Sequence, residues 1–139
     1  MGLKRVYLDT CKSIYIVEAK LPFCDTAQAR LDNEPNNDLY YSNLSILEVL
    51  VKPLRDKDDS LRELFGEFYA SQDLLEIPRE VFEAAAQLRA SFQSLKTPDA
   101  LHLATAQFHD CDEFWTNDDR LNKVAPDLVI NIFDTDTNA

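Results

Sequence analysis

The sequence predicts an α/β fold, a three-layer sandwich in which a mainly parallel five-stranded sheet is flanked by helices. Two observations predict it, and a third narrows the chemistry it can carry. Short β-rich runs alternate with segments of helical spacing, the pattern of βαβ units and of a sheet covered on both faces. Hydrophobic residues make up 45% of 139 residues, enough for a genuine core in a chain of domain size. Glycine is confined to Gly2 and Gly66, which removes the glycine-dependent dinucleotide fingerprint, the phosphate-binding P-loop and the G-x-S-x-G nucleophile elbow.

Residues 4–8, rich in Val, Tyr and Leu, read as the first strand, ending at Asp9. Thr10 to Lys20 has helical spacing and is stopped by Pro22; Phe23 to Asn33 is a weaker, polar helix. Glu34-Pro35-Asn36-Asn37-Asp38 is a turn cluster, followed by a short strand, Leu39-Tyr40-Tyr41. Ser42 is placed to cap a strongly apolar helix, Leu44 to Lys52, which Pro53 and the charged run Arg55 to Asp59 should break. Residues 59–71 form another helix, and Leu74 to Ile77 a third strand closed by Pro78. Arg79 to Leu95 is the cleanest helix; the next opens with Thr97 as N-cap and Pro98 at its first position. Glu113-Phe114-Trp115 is a fourth strand, Asp119 to Val124 a short helix, and Leu128 to Phe133 a fifth strand. No linker or repeat interrupts the pattern, so residues 1–133 read as one domain with a frayed tail at 134–139.

No apolar run approaches the roughly 20 residues of a membrane span, and Met1 to Arg5 lead into a strand pattern rather than a signal sequence, which suggests a cytoplasmic protein. Cys11, Cys24 and Cys111 contain no C-x-x-C pair, which argues against a disulfide framework or a cysteine zinc site. The formal charge of −11 repels nucleic acid in general, so binding one would need a divalent cation and a few local basic residues.

Four acids recur where elements start or stop. Asp9 follows the first strand, where ligands gather in open α/β sheets. Glu48 sits in a narrow polar stripe with Ser45, Lys52 and Arg55 on an otherwise apolar helix. Asp99 lies in the first turn of its helix, and Asp118 follows the fourth strand. Each has a plain structural explanation as a cap, a dipole partner or a solvated side chain. Together at one edge they would repel each other by about 1 kcal/mol per pair at 4 Å in water, a conflict that a cation or a retained proton relieves. Hard oxygen donors suit Mg²⁺ or Mn²⁺, which can activate water at a phosphate. His102 reads as a packed helix residue and His109 as surface.

The segments Val6-Tyr7-Leu8-Asp9-Thr10, Ser42 to Glu48, Thr97 to Ala106 and Thr116-Asn117-Asp118 together resemble the PIN-domain ribonucleases, in particular the small toxins of the VapC type. The resemblance implies a PIN-like fold and a metal-dependent endoribonuclease leaving a 5′-phosphate and a 3′-hydroxyl. It makes Asp9, Glu48, Asp99 and Asp118 the catalytic and Mg²⁺- or Mn²⁺-binding acids, supported by Thr10 and Thr116. It also implies a cognate antitoxin partner and a homodimer. Lys12, Lys52, Arg55, Lys96, Arg120 and Lys123 are the basic residues available to hold RNA. Cys11 stands where Asn or Ser often follows the Asp-Thr pair, and the alternative is a catalytically inactive PIN domain that binds protein or RNA. An aspartyl-nucleophile phosphatase fits less well, because position 11 is Cys where the haloacid-dehalogenase type has a second Asp.

Overall fold

A computed structural model describes residues 4–18 and 37–131. In chain order the elements are β1 (Lys4–Leu8), α1 (Thr10–Glu18), β2 (Asn37–Ser42), α2 (Asn43–Arg55), α3 (Asp59–Ala70), β3 (Asp73–Leu75), α4 (Arg79–Ser91), α5 (Thr97–Phe108), β4 (Glu113–Thr116), a 3₁₀ turn (Asp119–Lys123) and β5 (Val129–Asn131). The expected helix over 23–33, Cys24 and the tail lie outside the described residues.

The five strands form one sheet in the order β3-β2-β1-β4-β5, and every pairing is parallel. The central strands carry continuous apolar runs because both of their faces are covered. Side chains alternate across the sheet, so Tyr7 and Phe114 enter one core with Val81, Ala85 and Leu103 of α4 and α5. Val6, Leu8 and Trp115 point to the other face, where Phe68 of α3 packs. Val49, Phe65 and Tyr69 join α2 and α3 in a third cluster that also touches Ile14 and Val17 of α1.

This strand order reverses direction beside β1. The chain builds outward through β2 and β3, then returns to lay β4 against the other edge of β1. The carboxyl ends of β1 and β4 therefore flank a switch point, where open α/β sheets leave a crevice.

Several boundaries differ from expectation for local reasons. Asn37 and Asp38 belong to β2 and not to a turn, since they pair with Lys4 and Arg5. Pro53 does not break α2, which runs on to Arg55. So near the C-terminus its missing N–H removes a single intrahelical bond, and the Pro53 carbonyl still accepts from Asp58 N at 2.8 Å. The reversal comes at Lys57, whose φ is 54°. The N-cap of α5 is Lys96, so Thr97 is the first helical residue; its hydroxyl instead accepts from Arg89 at 2.8 Å. α4 stops at Ser91, four residues short of Leu95. β3 covers Asp73–Leu75, and Glu76 and Ile77 lie beyond it. No helix among the described residues is long and apolar enough to cross a membrane.

Candidate active site

The crevice at the switch point is an open cleft of about 450 Å³, and Asp9, Glu48, Asp99 and Asp118 all line it. They arrive from four separate segments. Asp9 is the first residue after β1, its amide bonded to the Trp115 carbonyl of β4 at 2.9 Å and its carbonyl accepting from Lys12 and Ser13 as α1 begins. Its backbone thus starts the helix while its carboxylate is engaged elsewhere: Oδ2 accepts from the Thr116 hydroxyl at 2.7 Å and from the Cys11 thiol at 3.5 Å. Thr116 is fully buried at the end of β4 and also accepts from the Asp118 amide at 3.1 Å, so one hydroxyl fixes two of the acids.

Glu48 is held from the opposite wall. Its Oε1 accepts from the Thr10 hydroxyl at 2.7 Å and lies 2.6 Å from His102 Nε2. The same imidazole turns Nδ1 to the Tyr7 hydroxyl at 2.6 Å, and Tyr7 meets Ser42 Oγ at 2.8 Å. A buried hydrogen-bonded chain therefore runs from Ser42 through Tyr7 and His102 to Glu48. Tyr7, Ser42 and His102 are each at most 1% exposed, and buried polar groups of this kind rigidify a site only when all are satisfied.

The profile of the PIN domain family matches residues 6–126. The chain is a PIN domain. No curated protein matches it in sequence, but solved structures share its fold. The VapBC2 structure from Rickettsia felis, bound to a promoter DNA fragment, superposes with a TM-score of 0.77 at 14% identity, covering 91% of this chain and 98% of that one. A toxin–antitoxin complex from Klebsiella pneumoniae gives 0.72 at 24% identity, over 91% and 97%. The sarcin–ricin-loop-cleaving toxin VapC20 of Mycobacterium tuberculosis gives 0.72 at 14%, over 86% and 95%.

The four acids of this PIN domain do not share one electrostatic state. Burial pushes the Asp99 carboxyl up, and the charges of Asp9 and Asp118 push it further. Burial also works to raise Glu48, but the hydrogen bond and charge of His102, with the Thr10 hydroxyl, outweigh it and hold Glu48 below its ordinary value. Asp118 is lowered chiefly by Arg120, whose Nε and Nη2 lie 2.9 and 2.6 Å from its oxygens. Its Oδ1 also accepts from the Arg120 amide at 3.0 Å, so the capping role holds for Asp118 alongside its place in the cleft. The Cys11 thiol, pushed up to about 12 by burial and by Asp9, stays protonated and contacts Asn117. It replaces the expected Asn or Ser as a weak donor to Asp9.

The chemistry of the donor set fits a hard divalent cation: carboxylates backed by hydroxyls, with excess negative charge already felt at Asp99. Among the described residues no three of these side chains converge closely enough to enclose an ion as they stand. Glu48 is drawn toward His102, and Asp118 toward Arg120. Among the described residues, Asp9 and Asp99 are the carboxylates of the cleft with no ion pair to a basic side chain.

The six basic candidates separate clearly. Lys96 and Arg120 line the cleft, and Lys123 lines a smaller cavity beside it. Lys52 and Arg55 sit at the exposed end of α2, paired with Glu18 and Asp56. Lys12 is 0% exposed, so its expected place on an RNA-binding surface is corrected: α1 turns it inward. His102 is a site residue that sequence reading set aside; its spacing of three from Asp99 puts both on one helical face.

Proposed function

We propose that this PIN domain is an endoribonuclease that hydrolyses RNA phosphodiester bonds with Mg²⁺ or Mn²⁺ held by Asp9, Glu48, Asp99 and Asp118, and that it serves as the toxin of a toxin–antitoxin pair. The observation that carries the reading is the convergence of four carboxylates, from segments as far apart as residues 9 and 118, on one cleft at the switch point of a PIN fold. Bound Mg²⁺ or Mn²⁺ would supply Lewis acidity toward a phosphate oxygen and a water of lowered pKa.

The chain's own residues hold the acids ready for that task. Thr116 orients Asp9, while Thr10 and His102 keep Glu48 ionised and fixed. Supporting contacts of this sort typically matter by 10–100-fold in metal affinity or activity. Lys96 and Arg120 stand at the cleft to meet the RNA backbone, where local cations matter because the chain as a whole carries −11. The likeness to toxin–antitoxin complexes supports an antitoxin as protein partner, and the same negative charge favours a basic contact surface on it. A homodimer is the proposed assembly.

The test is cleavage of end-labelled RNAs, including ribosomal fragments, by antitoxin-free protein with Mn²⁺, beside Asp9→Asn and EDTA controls. The reading expects 5′-phosphate and 3′-hydroxyl ends that disappear in both controls. Metal binding with no cleavage across these RNAs would replace it with the non-cutting binding module.

A further inference from the structure

A second, smaller cavity opens beside the acidic cleft and shares two of its walls, Asp99 and Arg120. Phe92 and Leu95, from the segment between α4 and α5, line it together with Leu121 and Val124 at the 3₁₀ turn. Its volume is about 130 Å³, and an apolar protein cavity of about 150 Å³ is known to take up benzene. The space is therefore the size of one ring. Leu95 and Leu121 are buried in the main core, and Phe92 and Val124 pack against it, so the floor is set by the fold. The rim is polar and basic: Ser94, Arg120 and Lys123 are exposed there.

An apolar slot of ring size, with two cations on its rim and a cleft carboxylate as one wall, matches a planar heterocycle carried on an anionic backbone. A free phosphate would gain nothing from the Phe92–Leu95–Leu121–Val124 floor. An aliphatic side chain of a protein partner would gain nothing from the paired cations.

We infer that this cavity receives one unstacked nucleobase of the RNA, next to the phosphodiester bond presented to the acidic cleft, with Arg120 and Lys123 at the adjoining phosphates. The inference rests on the nuclease reading and adds to it a subsite for one base. A base can enter only when unpaired, so the RNA must be single-stranded or looped at the cut, as RNA-reading proteins generally require. Apolar burial and stacking also bind RNA without a net positive charge, which a chain of −11 lacks.

The experiment is a titration of ¹⁵N-labelled full-length protein with adenosine, cytidine, guanosine and uridine, and with ribose as control. Nucleosides carry no phosphate, so the result does not depend on phosphate contacts with the rim cations. The expected outcome is saturable amide shifts at 92–95 and 121–124 with at least one nucleoside and none with ribose. Phe92→Ala should weaken that binding at least about fivefold, the size of one lost base–aromatic contact. Ser94→Leu, at an exposed rim position away from the core, should weaken it too. No saturable shift with any nucleoside, equal shifts with ribose, or unchanged binding in both variants overturns the subsite. The two readings fail separately: nucleoside uptake without RNA cleavage removes the nuclease and keeps the subsite, and cleavage without uptake does the reverse.

Discussion

The two walls of the cleft carry the same chemistry in opposite states. On the wall formed by α1 and α2, Glu48 is tethered by Thr10 of α1 and by His102, which reaches across from α5, and its carboxyl is held low. On the α5 wall, Asp99 has the charges of Asp9 and Asp118 near it, and its carboxyl is raised. Both are partly buried acids on helices. Burial raises both; the difference lies in what faces them, so Glu48 keeps its charge as built, whereas a proton or a cation favours Asp99.

The largest effect should come from the untethered wall. Asp99→Asn should lower metal-dependent cleavage by more than about a hundredfold, beyond the usual range for supporting residues, measured as initial rate at saturating Mn²⁺. Activity within tenfold of wild type would show that Asp99 is only a helix-terminus charge. At the tether of Glu48, His102→Leu should cost about 10–100-fold in metal affinity or rate. It also removes one hydrogen-bond partner from each of Tyr7 and Glu48, which keep Ser42 and Thr10 respectively, so it should destabilise the fold by about 1–3 kcal/mol in urea. An unchanged metal affinity with a destabilised fold would make the Ser42–Tyr7–His102 chain purely structural.

Stability without metal should separate the walls by sign. A raised Asp99 means that the folded state holds its proton longer than the unfolded one, so its contribution is favourable at low pH and is lost as pH rises through the raised value. Glu48, being lowered, contributes above the ordinary carboxylate range and loses that contribution as pH falls through its depressed value. In EDTA near neutral pH, Asp99→Asn should therefore raise Tm by a few degrees, on the scale of about 1 kcal/mol, and the gain should vanish in acid. Glu48→Gln should lower Tm under the same conditions. The same sign for both would erase the contrast. The smallest effect belongs to the rim: Lys123→Ala should weaken RNA binding modestly and flatten its salt dependence by about one phosphate contact.

Where the sequence was legible, the reason was local. β1 and β4 show as apolar runs because the central strands are buried on both faces, and Asp9 shows because the strand stops there. The four acids were visible as an order along the chain, though each alone had a capping explanation, and Asp118 does cap. What could not be read was long-range. His102 gains its role from Tyr7, 95 residues away, and from Glu48, 54 residues away. Lys12 looked like a surface cation because its charge is evident and the face it occupies is not. Pro53 looked like a helix break because its cost depends on how close to the end it falls.

Whether the acidic cleft holds a cation is tested, without knowledge of the RNA, by a thermal-shift titration with Mn²⁺ and Mg²⁺ on wild type and Asp9→Asn. Metal at 100 times its dissociation constant should stabilise the wild type by about 2.7 kcal/mol, a saturable rise of several degrees in a domain of this size, and Asp9→Asn should lose it. A flat wild-type curve, or the same rise in both proteins, would rule out a cation site built on Asp9 and leave the four carboxylates as caps and surface charges.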